Sequence, residues 1–362
     1  MELASLRSSR SPRIAALLLI AVTYCATAAA SIKKVASTVP ANGDINPYGV
    51  AVIPTTTGSL VRGNILVSNF NDSDNFQGTG TTIVQISPSG SMSLFAQIDA
   101  NNLPGPCPGG IGLTTALVAL QTGWVVVGSL PTTDGTAATA KAGCLLVLDS
   151  NGKVAETFYG SLINGPWDMT ALDLGRHVQL FVTNVLNGTV AAGGKQVKHG
   201  TVLRLNLTAS KSSMPSLQSM TIIGSGFAER SDPAALVIGP TGLALSRDGF
   251  FLYVADSLAN RIAVIPFPAF RGDSGGTGLT LSEGGALNDP LGVTVAPNGD
   301  ILSVNGNNGL VVTISPFGDQ LSKVFLDKSG SPPGAGALFG LAVVDGRIFF
   351  VDDAENDLKV FE

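Results

Sequence analysis

Residues 239–264 read GPTGLALSRDGFFLYVADSLANRIAV, which is three short apolar segments separated by polar turns. The first segment starts at Gly239-Pro240-Thr241-Gly242, the second is Leu252-Tyr253-Val254-Ala255-Asp256, and the third starts at Asn260-Arg261-Ile262. Each segment has the length and the branched or aromatic content of a β-strand, and Arg247-Asp248-Gly249 is a turn. The unit therefore predicts three antiparallel strands followed by a less distinct fourth.

The same unit recurs five more times along the chain. Clear copies start at Asn46-Pro47-Tyr48-Gly49, Asp289-Pro290-Leu291-Gly292 and Leu338-Phe339-Gly340, and degenerate copies start at Gly110-Ile111-Gly112 and Gly165-Pro166-Trp167-Asp168. The anchor positions 49, 112, 168, 242, 292 and 340 are 48 to 74 residues apart, which leaves room for four short strands in each interval. Six such units predict an all-β fold, a six-bladed β-propeller with four-stranded blades.

The two ends of the chain are expected to meet in the last blade. The chain stops soon after the third strand of the sixth copy, so that blade lacks an outer strand. The segment Ile32 to Val39 has the right character to supply it. We therefore predict that an N-terminal strand closes the last blade, which leaves no open edge on the ring.

The repeat resembles the NHL repeat. The likeness rests on the Pro-x-Gly-Val/Leu-Ala start and on the run from Leu252 to Ser257 with Asn260-Arg261-Ile262, and it is loosest in the second and third copies. More distantly, the chain is similar to propellers of the gluconolactonase, strictosidine synthase and paraoxonase kind. This resemblance implies the propeller fold but not one function, because such propellers include both enzymes and binding modules.

Residues 1–30 have the pattern of a secretory signal peptide. Three arginines precede the apolar run from Ile14 to Val22, and small residues from Ala26 to Ala30 follow. The pattern predicts cleavage after Ala30 and secretion, with no membrane span left in the product. Residues 31–362 are then a single propeller domain. We expect a monomer, which is the default for a closed ring.

The composition excludes one class of partner. Charged residues make up 13% of the chain, about half the usual share. The formal net charge is −5 and the sequence has no basic cluster, so nucleic acid is not an expected partner. An unidentified extracellular ligand or protein remains.

Secretion also bears on the cysteines and on three asparagines. Cys107 and Cys144 are the only cysteines after residue 30, and we predict that they form a disulfide bond. Asn71, Asn187 and Asn206 each start an Asn-x-Ser/Thr sequon and are candidate glycosylation sites. Two free buried thiols and chance sequons are the alternatives.

One face of the predicted propeller collects the candidate ligand contacts. The residue before the anchor of each inner strand should lie near the mouth of the central channel, where long loops after the second strands of the first three copies also stand. We expect Tyr48, Trp167 and Phe339 to contact a ligand there. Asp168 stands where other copies have glycine and is the best candidate for an acid or base, although a structural carboxylate hydrogen-bonded to loop amides is the competing interpretation.

A metal site has weaker support. The second strands end in Asn69, Ser129, Asn184, Asp256, Asn305 and Asp353. Oxygen atoms of Asn184, Asp256 and Asn305 could hold calcium, but a polar residue at the same place in every blade is also what a structural turn needs. The two histidines, His177 and His199, cannot form a three-histidine zinc site, and no serine-histidine-aspartate set is legible.

Two functions follow from these observations. The first is a secreted binding or scaffold module that holds a glycan, a peptide or a small apolar ligand on the loop-bearing face. The alternative is a divalent-metal-dependent hydrolase or lyase of the gluconolactonase-like class, for which calcium is the possible cofactor.

Overall fold

The computed structural model describes residues 31–232 and 235–362, and within them it contains six antiparallel sheets. The predicted signal peptide lies outside the described residues. The inner strands of the sheets contact one another in a closed circle around a central channel. The six-bladed all-β fold predicted from the repeats is therefore confirmed.

The strands are numbered β1 to β25 in chain order. Strand β1 is Ile32–Ser37. Blade 1 contains β2 (Ile45–Val52), β3 (Ile65–Asn71), β4 (Thr82–Ile86) and β5 (Met92–Gln97). Blade 2 contains β6 (Leu113–Ala119), β7 (Val125–Ser129), β8 (Leu145–Leu148) and β9 (Val154–Phe158). Blade 3 contains β10 (Pro166–Asp173), β11 (His177–Asn184), β12 (Val197–Thr208), β13 (Ser216–Asp232) and the short β14 (Leu236–Ile238).

Blade 4 contains β15 (Pro240–Leu245), β16 (Phe251–Asp256), β17 (Arg261–Pro266) and β18 (Leu279–Glu283). Blade 5 contains β19 (Pro290–Val295), β20 (Ile301–Asn305), β21 (Leu310–Ile314) and β22 (Gln320–Phe325). Blade 6 contains β23 (Leu338–Val344), β24 (Arg347–Asp352) and β25 (Asp357–Phe361). The described helices are α1 (Thr189–Ala192) and two short 3-10 turns at Ala137–Thr139 and Ser257–Ala259.

The burial of the strands explains the low charge of the sequence. Middle strands such as β3, β7 and β20 are buried at every residue, because neighbouring sheets pack on both of their faces. Outer strands are less buried, and β22 is exposed along most of its length. Most charged residues therefore lie in the outer strands and the turns.

Strand β1 closes the ring as predicted. It pairs antiparallel with β25, from Ile32 opposite Phe361 to Ser37 opposite Asp357. Beyond the strand, the N–H of Ser31 donates to the carbonyl of Glu362 at 2.7 Å. Blade 6 thus has four strands drawn from both ends of the described chain.

In blades 5 and 6, glycine at the anchor position is required by the close approach of the neighbouring blade. A Cβ added to Gly292 would lie 2.0 Å from the carbonyl oxygen of Phe339, and one added to Gly340 would lie 2.3 Å from that of Tyr48. No side chain fits at these distances. The repeated Pro-x-Gly start is therefore the sequence signature of inner strands that touch around the channel.

The alignment of the second copy at Ile111 and Gly112 is wrong. Leu113 pairs with Ser129, as Pro240 pairs with Asp256 in blade 4, and one extra residue in β6 follows. The carbonyl of Thr114 accepts from Ser68 Oγ, as the carbonyl of Thr241 does from Thr183 Oγ1. Thr114 and Thr115 therefore occupy the places that were given to Ile111 and Gly112.

Two further details differ from the sequence interpretation. The second strand of blade 6 reaches the shared end position at Asp352, which pairs with Leu338, and not at Asp353. Blade 3 carries a fifth strand, because β13 continues past the sheet and its residues 230–232 pair with residues 236–238 of β14 in a hairpin. This hairpin stands on the face where the inner strands begin, which we call the upper face.

Candidate functional site

Aromatic side chains close the channel at the upper face. The ring of Tyr48 lies 4.0 Å from that of Phe339, 4.5 Å from that of Phe70 and 6.1 Å from that of Trp167, measured between centroids. All four side chains are buried. We call these four residues the aromatic plug. The expected ring of aromatic contacts at the channel mouth is thus a packed layer, of which a ligand could reach only the edges.

The plug lies between two separate cavities. Tyr48 and Phe339 line a cavity on the upper face, whereas Trp167 and Asp168 line a cavity inside the channel. No residue lines both. The structure therefore divides the four predicted ligand contacts into two pairs, one on each side of the plug.

The upper cavity is polar and has a volume of about 640 Å³. Tyr48, Leu291 and Phe339 line it together with side-chain amides from loops of several blades. The amide-bearing residues of this lining are Asn46, Asn71, Asn75, Gln77, Asn260, Asn288 and Asn307. Arg230 and Asp232, on the hairpin of blade 3, are also part of the lining and form an ion pair at 3.0 Å. Amide groups both donate and accept, so the cavity offers hydrogen bonds of both kinds above an apolar floor.

Two carboxyl groups in the upper cavity are shifted toward the neutral form. Burial raises the pKa of Asp289 to about 7, with the charge of Asp232 adding to the shift and Arg230 opposing it. Burial raises the pKa of Asp353 to about 7 as well, with Asp352 adding to the shift. At neutral pH both groups can therefore donate or accept a hydrogen bond.

The sequence contains a signal for part of this lining at the residue before the proline of the inner strand. Asn46 and Asp289 precede the proline of their inner strands, at a position where blades 3 and 4 have Gly165 and Gly239. Both adopt a positive φ, 59° and 58°, which glycine and Asn or Asp tolerate best. In blades 1 and 5, the polar residue at this pre-proline position lines the upper cavity.

The channel cavity has a volume of about 420 Å³ and is lined by the six inner strands. Its lining reaches Gln121, Asp173 and Arg247, which lie where inner strands end, so the cavity faces the side of the propeller opposite the upper face. We call that side the lower face. The cavity is thus a chamber in the channel with the plug above it.

Asp168 is held in the channel wall by backbone groups. Its Oδ2 accepts a hydrogen bond from the N–H of Leu243 at 2.7 Å, and its own N–H donates to Thr183 Oγ1 at 3.0 Å. The side chain is partly accessible from the cavity. Desolvation by the channel wall raises the pKa of Asp168 to about 7, and the N–H groups of Leu243 and Met169 oppose this shift.

The three candidate metal ligands are each used inside their own blade. Asn184 Oδ1 accepts from the N–H of Asn164, and Asn305 Nδ2 donates to the carbonyl of Ala286. Asp256 forms a buried ion pair with Arg261 at 2.9 Å. These contacts tie the second strand to its neighbours, which is the structural role that a polar residue repeated in each blade also suggested.

The predicted disulfide bond is confirmed, since Cys107 and Cys144 are bonded. The bond links the loop before β6 to the residue before β8. Within the described residues, no helical segment combines the length and the apolar content needed to cross a bilayer.

The three sequons differ in accessibility. The side chain of Asn71 is buried and donates to Asn75 Oδ1, and Asn187 is hydrogen-bonded to Asn164 and Asn184. Asn206 lies on β12, where it is partly exposed and donates to Ser219 Oγ. Asn187 and Asn206 are both partly exposed, so both are better placed than Asn71 to carry a glycan.

We expect the protein secreted by a eukaryotic host to carry a glycan on Asn206 and none on Asn71. The physical reason is that a glycan on Asn71 would have to displace packed neighbours at the end of β3. Peptide mass spectrometry before and after enzymatic deglycosylation measures this. Thr208→Ala, which destroys the Asn206 sequon, is the control, and an occupied Asn71 would contradict the expectation.

The sequence matches no protein-family model and no curated protein. Solved structures share the fold. The calcium-binding protein regucalcin from Agrobacterium tumefaciens has a TM-score of 0.56 and 13% identity, over 90% of this chain and 92% of its own. A gluconolactonase from Xanthomonas campestris has a TM-score of 0.54 and 13% identity, over 92% and 89%. A virginiamycin B lyase from Staphylococcus aureus has a TM-score of 0.50 and 14% identity, over 89% and 82%.

In fold, this chain is similar to the gluconolactonase and regucalcin propellers. At these identities the likeness extends to the fold alone. Which function the chain has must therefore be judged from its own side chains.

The side chains at the upper ends of the six inner strands do not supply the ligands of a calcium ion. Calcium takes six to eight oxygen ligands. The six residues at the upper end of the inner strands are Tyr48, Thr114, Trp167, Thr241, Leu291 and Phe339. Three of them have a side-chain oxygen, each a single hydroxyl, and the hydroxyl groups of Thr114 and Thr241 already make hydrogen bonds within the propeller. Within the described residues, no three His, Cys, Asp or Glu side chains are grouped as a metal site would require.

Proposed function

We propose that this protein is a secreted binding module that holds a polyhydroxylated ligand, such as a saccharide unit, in its upper cavity. The observation that carries the proposal is the lining of that cavity, which combines an apolar floor at Tyr48, Leu291 and Phe339 with walls of amide and carboxyl groups. A sugar presents the complementary surfaces, since its C–H face packs on apolar groups and its hydroxyl groups both donate and accept hydrogen bonds.

The polar walls favour a saccharide over the other ligands considered. Asn288 and Asn307 share one hydrogen bond, and a small apolar ligand would leave their remaining donors and acceptors without partners after losing their water, which is unfavourable. A peptide with few side-chain hydroxyl groups would satisfy fewer of them. The cavity also has the size of ordinary small-ligand sites, which span roughly 300–1,000 Å³.

The alternative is a metal-dependent hydrolase or lyase, and it is supported by the similarity of the fold to the gluconolactonase and regucalcin propellers. Its difficulty is the lack of a ligand set for the ion, as described above. Elemental analysis of the dialysed protein separates the two functions. One equivalent of a divalent ion would favour the hydrolase.

A glycan array followed by calorimetric titration tests the proposal. Asn307 is exposed at the rim of the cavity, so Asn307→Ala removes a hydrogen-bonding group without disturbing the core. We expect this substitution to weaken binding of the best array saccharide about tenfold, the effect of losing one good hydrogen bond.

Asn298→Ala is the matched control. Asn298 is exposed in the same blade, but it lies in the turn between β19 and β20 on the lower face. Its substitution should leave saccharide affinity unchanged. The proposal fails if no saccharide binds, or if the two substitutions weaken binding equally.

A further inference from the structure

The channel cavity differs in chemistry from the upper cavity. Its wall is formed mainly by apolar side chains of the inner strands, among them Val50, Leu117, Met169, Leu245 and Val293. Three charged residues line it, Asp168, Asp173 and Arg247. The cavity therefore suits the apolar body of a ligand and offers charge at few points.

Two of the charged residues lie at the lower end of the cavity and are already engaged. Asp173 accepts hydrogen bonds from the N–H groups of Gln121 and Gly175, at 2.6 and 2.8 Å. The guanidinium of Arg247 donates to the carbonyl of Pro297. Only Asp168 remains as a charged group in the interior of the chamber.

Asp168 has no cationic partner within the described part of the chain. None of the ion pairs there includes it, and its carboxyl group is held by backbone N–H donors. An unpaired carboxylate in an apolar wall is unfavourable to folding. The presence of aspartate at position 168 is therefore not explained by the stability of the free protein.

The symmetry of the fold makes the same point. The equivalent residue of the other blades is Gly49, Gly242, Gly292, Gly340 or, in blade 2, Thr115. The propeller can therefore be built with an uncharged residue at this position. A carboxylate that breaks the repeat, lies in a cavity and costs stability is the pattern of a functional group.

We propose that the channel cavity binds a small organic ammonium ion, with its charged nitrogen at Asp168 and its apolar body against the inner strands. The ligand class follows from the two features of the chamber. A lone carboxylate pairs with a cation, and an apolar wall selects a cation that carries a hydrocarbon group. This site is distinct from the proposed saccharide site, since the aromatic plug lies between them.

Binding at this site should depend on pH. Since the pKa of Asp168 is about 7, its carboxyl group is largely neutral at pH 5.5 and largely ionised at pH 8. The other charged groups that line the cavity are Asp173, at the end of β10, and Arg247, in the turn after β15. An alkylammonium ion keeps its charge across this range. We therefore expect affinity to rise by about tenfold or more from pH 5.5 to pH 8.

The experiment is a calorimetric titration of the intact protein with benzylamine and, as its neutral counterpart of the same shape, benzyl alcohol. At pH 8 we expect one site for benzylamine and at least about tenfold weaker binding of the alcohol. Asp168→Asn should reduce benzylamine affinity to that of the alcohol. It should leave saccharide binding at the upper cavity unchanged.

Two more variants complete the test. Asp300→Asn changes the net charge by the same amount from an exposed turn of the lower face, and benzylamine affinity should not change. Ala171→Phe fills part of the channel without removing the carboxyl group, and it should weaken both probes. The proposal is overturned if benzylamine does not bind, if the alcohol binds equally well, or if Asp168→Asn retains benzylamine affinity.

Discussion

Asp168→Asn is expected to raise the free energy of unfolding at pH 8 by an amount on the order of 4 kcal/mol. In the folded protein the pKa of Asp168 is about 7, whereas an unfolded chain ionises its aspartates near 3.8. Folding therefore opposes ionisation, and the wild-type protein loses stability as the pH rises from about 4 to 7. Asparagine is never ionised, so the variant avoids this loss.

The comparison of two pH values tests this reason. At pH 3 the aspartate is protonated in both states, and the substitution should change stability little. Urea unfolding curves of the wild type and the variant at each pH measure the difference. Asp300→Asn serves as the control for net charge. An Asp168→Asn variant that is less stable than the wild type at pH 8 would show that the carboxylate is a structural partner.

Three other acidic groups also make the folded protein less stable as the pH rises. Burial raises the pKa of Glu229, Asp289 and Asp353 to about 7. Each contributes stability below the unfolded pKa that is lost toward neutral pH. The wild-type protein should therefore be more stable at pH 5 than at pH 8, and Asp168→Asn should reduce that difference without abolishing it.

Replacing Cys107 and Cys144 by alanine is expected to lower the free energy of unfolding by about 4 kcal/mol. The two residues are 37 positions apart, and the cross-link restricts the unfolded chain by that loop. The bond also fixes the loop before β6 to the start of β8. Unfolding of the double variant without reductant measures the loss.

Reduction of the wild-type protein is the independent check. With dithiothreitol, its stability should fall to that of the double variant, while the variant should not respond. A loss below about 1 kcal/mol would mean that the unfolded chain is already compact in this region or that the bond is strained in the folded state.

The repeat, the ring closure and the disulfide bond were all predictable from the sequence. Each depends on residue type at a regular spacing, as with Gly292, whose hydrogen is the only side chain that the neighbouring carbonyl allows. In blade 2, Gly110 and Gly112 imitate that signal, so the repeat pattern places the anchor three residues too early. The extra residue in β6, which moves the true anchor to Thr115, leaves no mark in composition or periodicity.

The site was predictable only in part. Tyr48, Trp167 and Phe339 were recognised as a group, and the structure does bring their rings together. Which of two cavities each residue lines depends on how far the loops of blades 2 and 3 fold over the ring. The buried cluster that contains the plug also contains Leu130 and Val185, which lie in those loops, and Leu236 of β14. No local sequence pattern predicts that these side chains pack against the plug.

The pairing of β1 with β25 also sets an order of events during synthesis. Lys33 and Glu362 are in contact although they are 329 positions apart. Strand β1 is the first described strand to be synthesised, but its partner β25 is the last. Strand β1 therefore stays unpaired until the rest of the chain has been made. Until then blade 6 lacks its outer strand and β25 has an open edge, which is the surface where intermolecular pairing would begin. The same adjacency means that a short linker from residue 362 to residue 31 could join the two ends, with a new opening placed in any exposed turn.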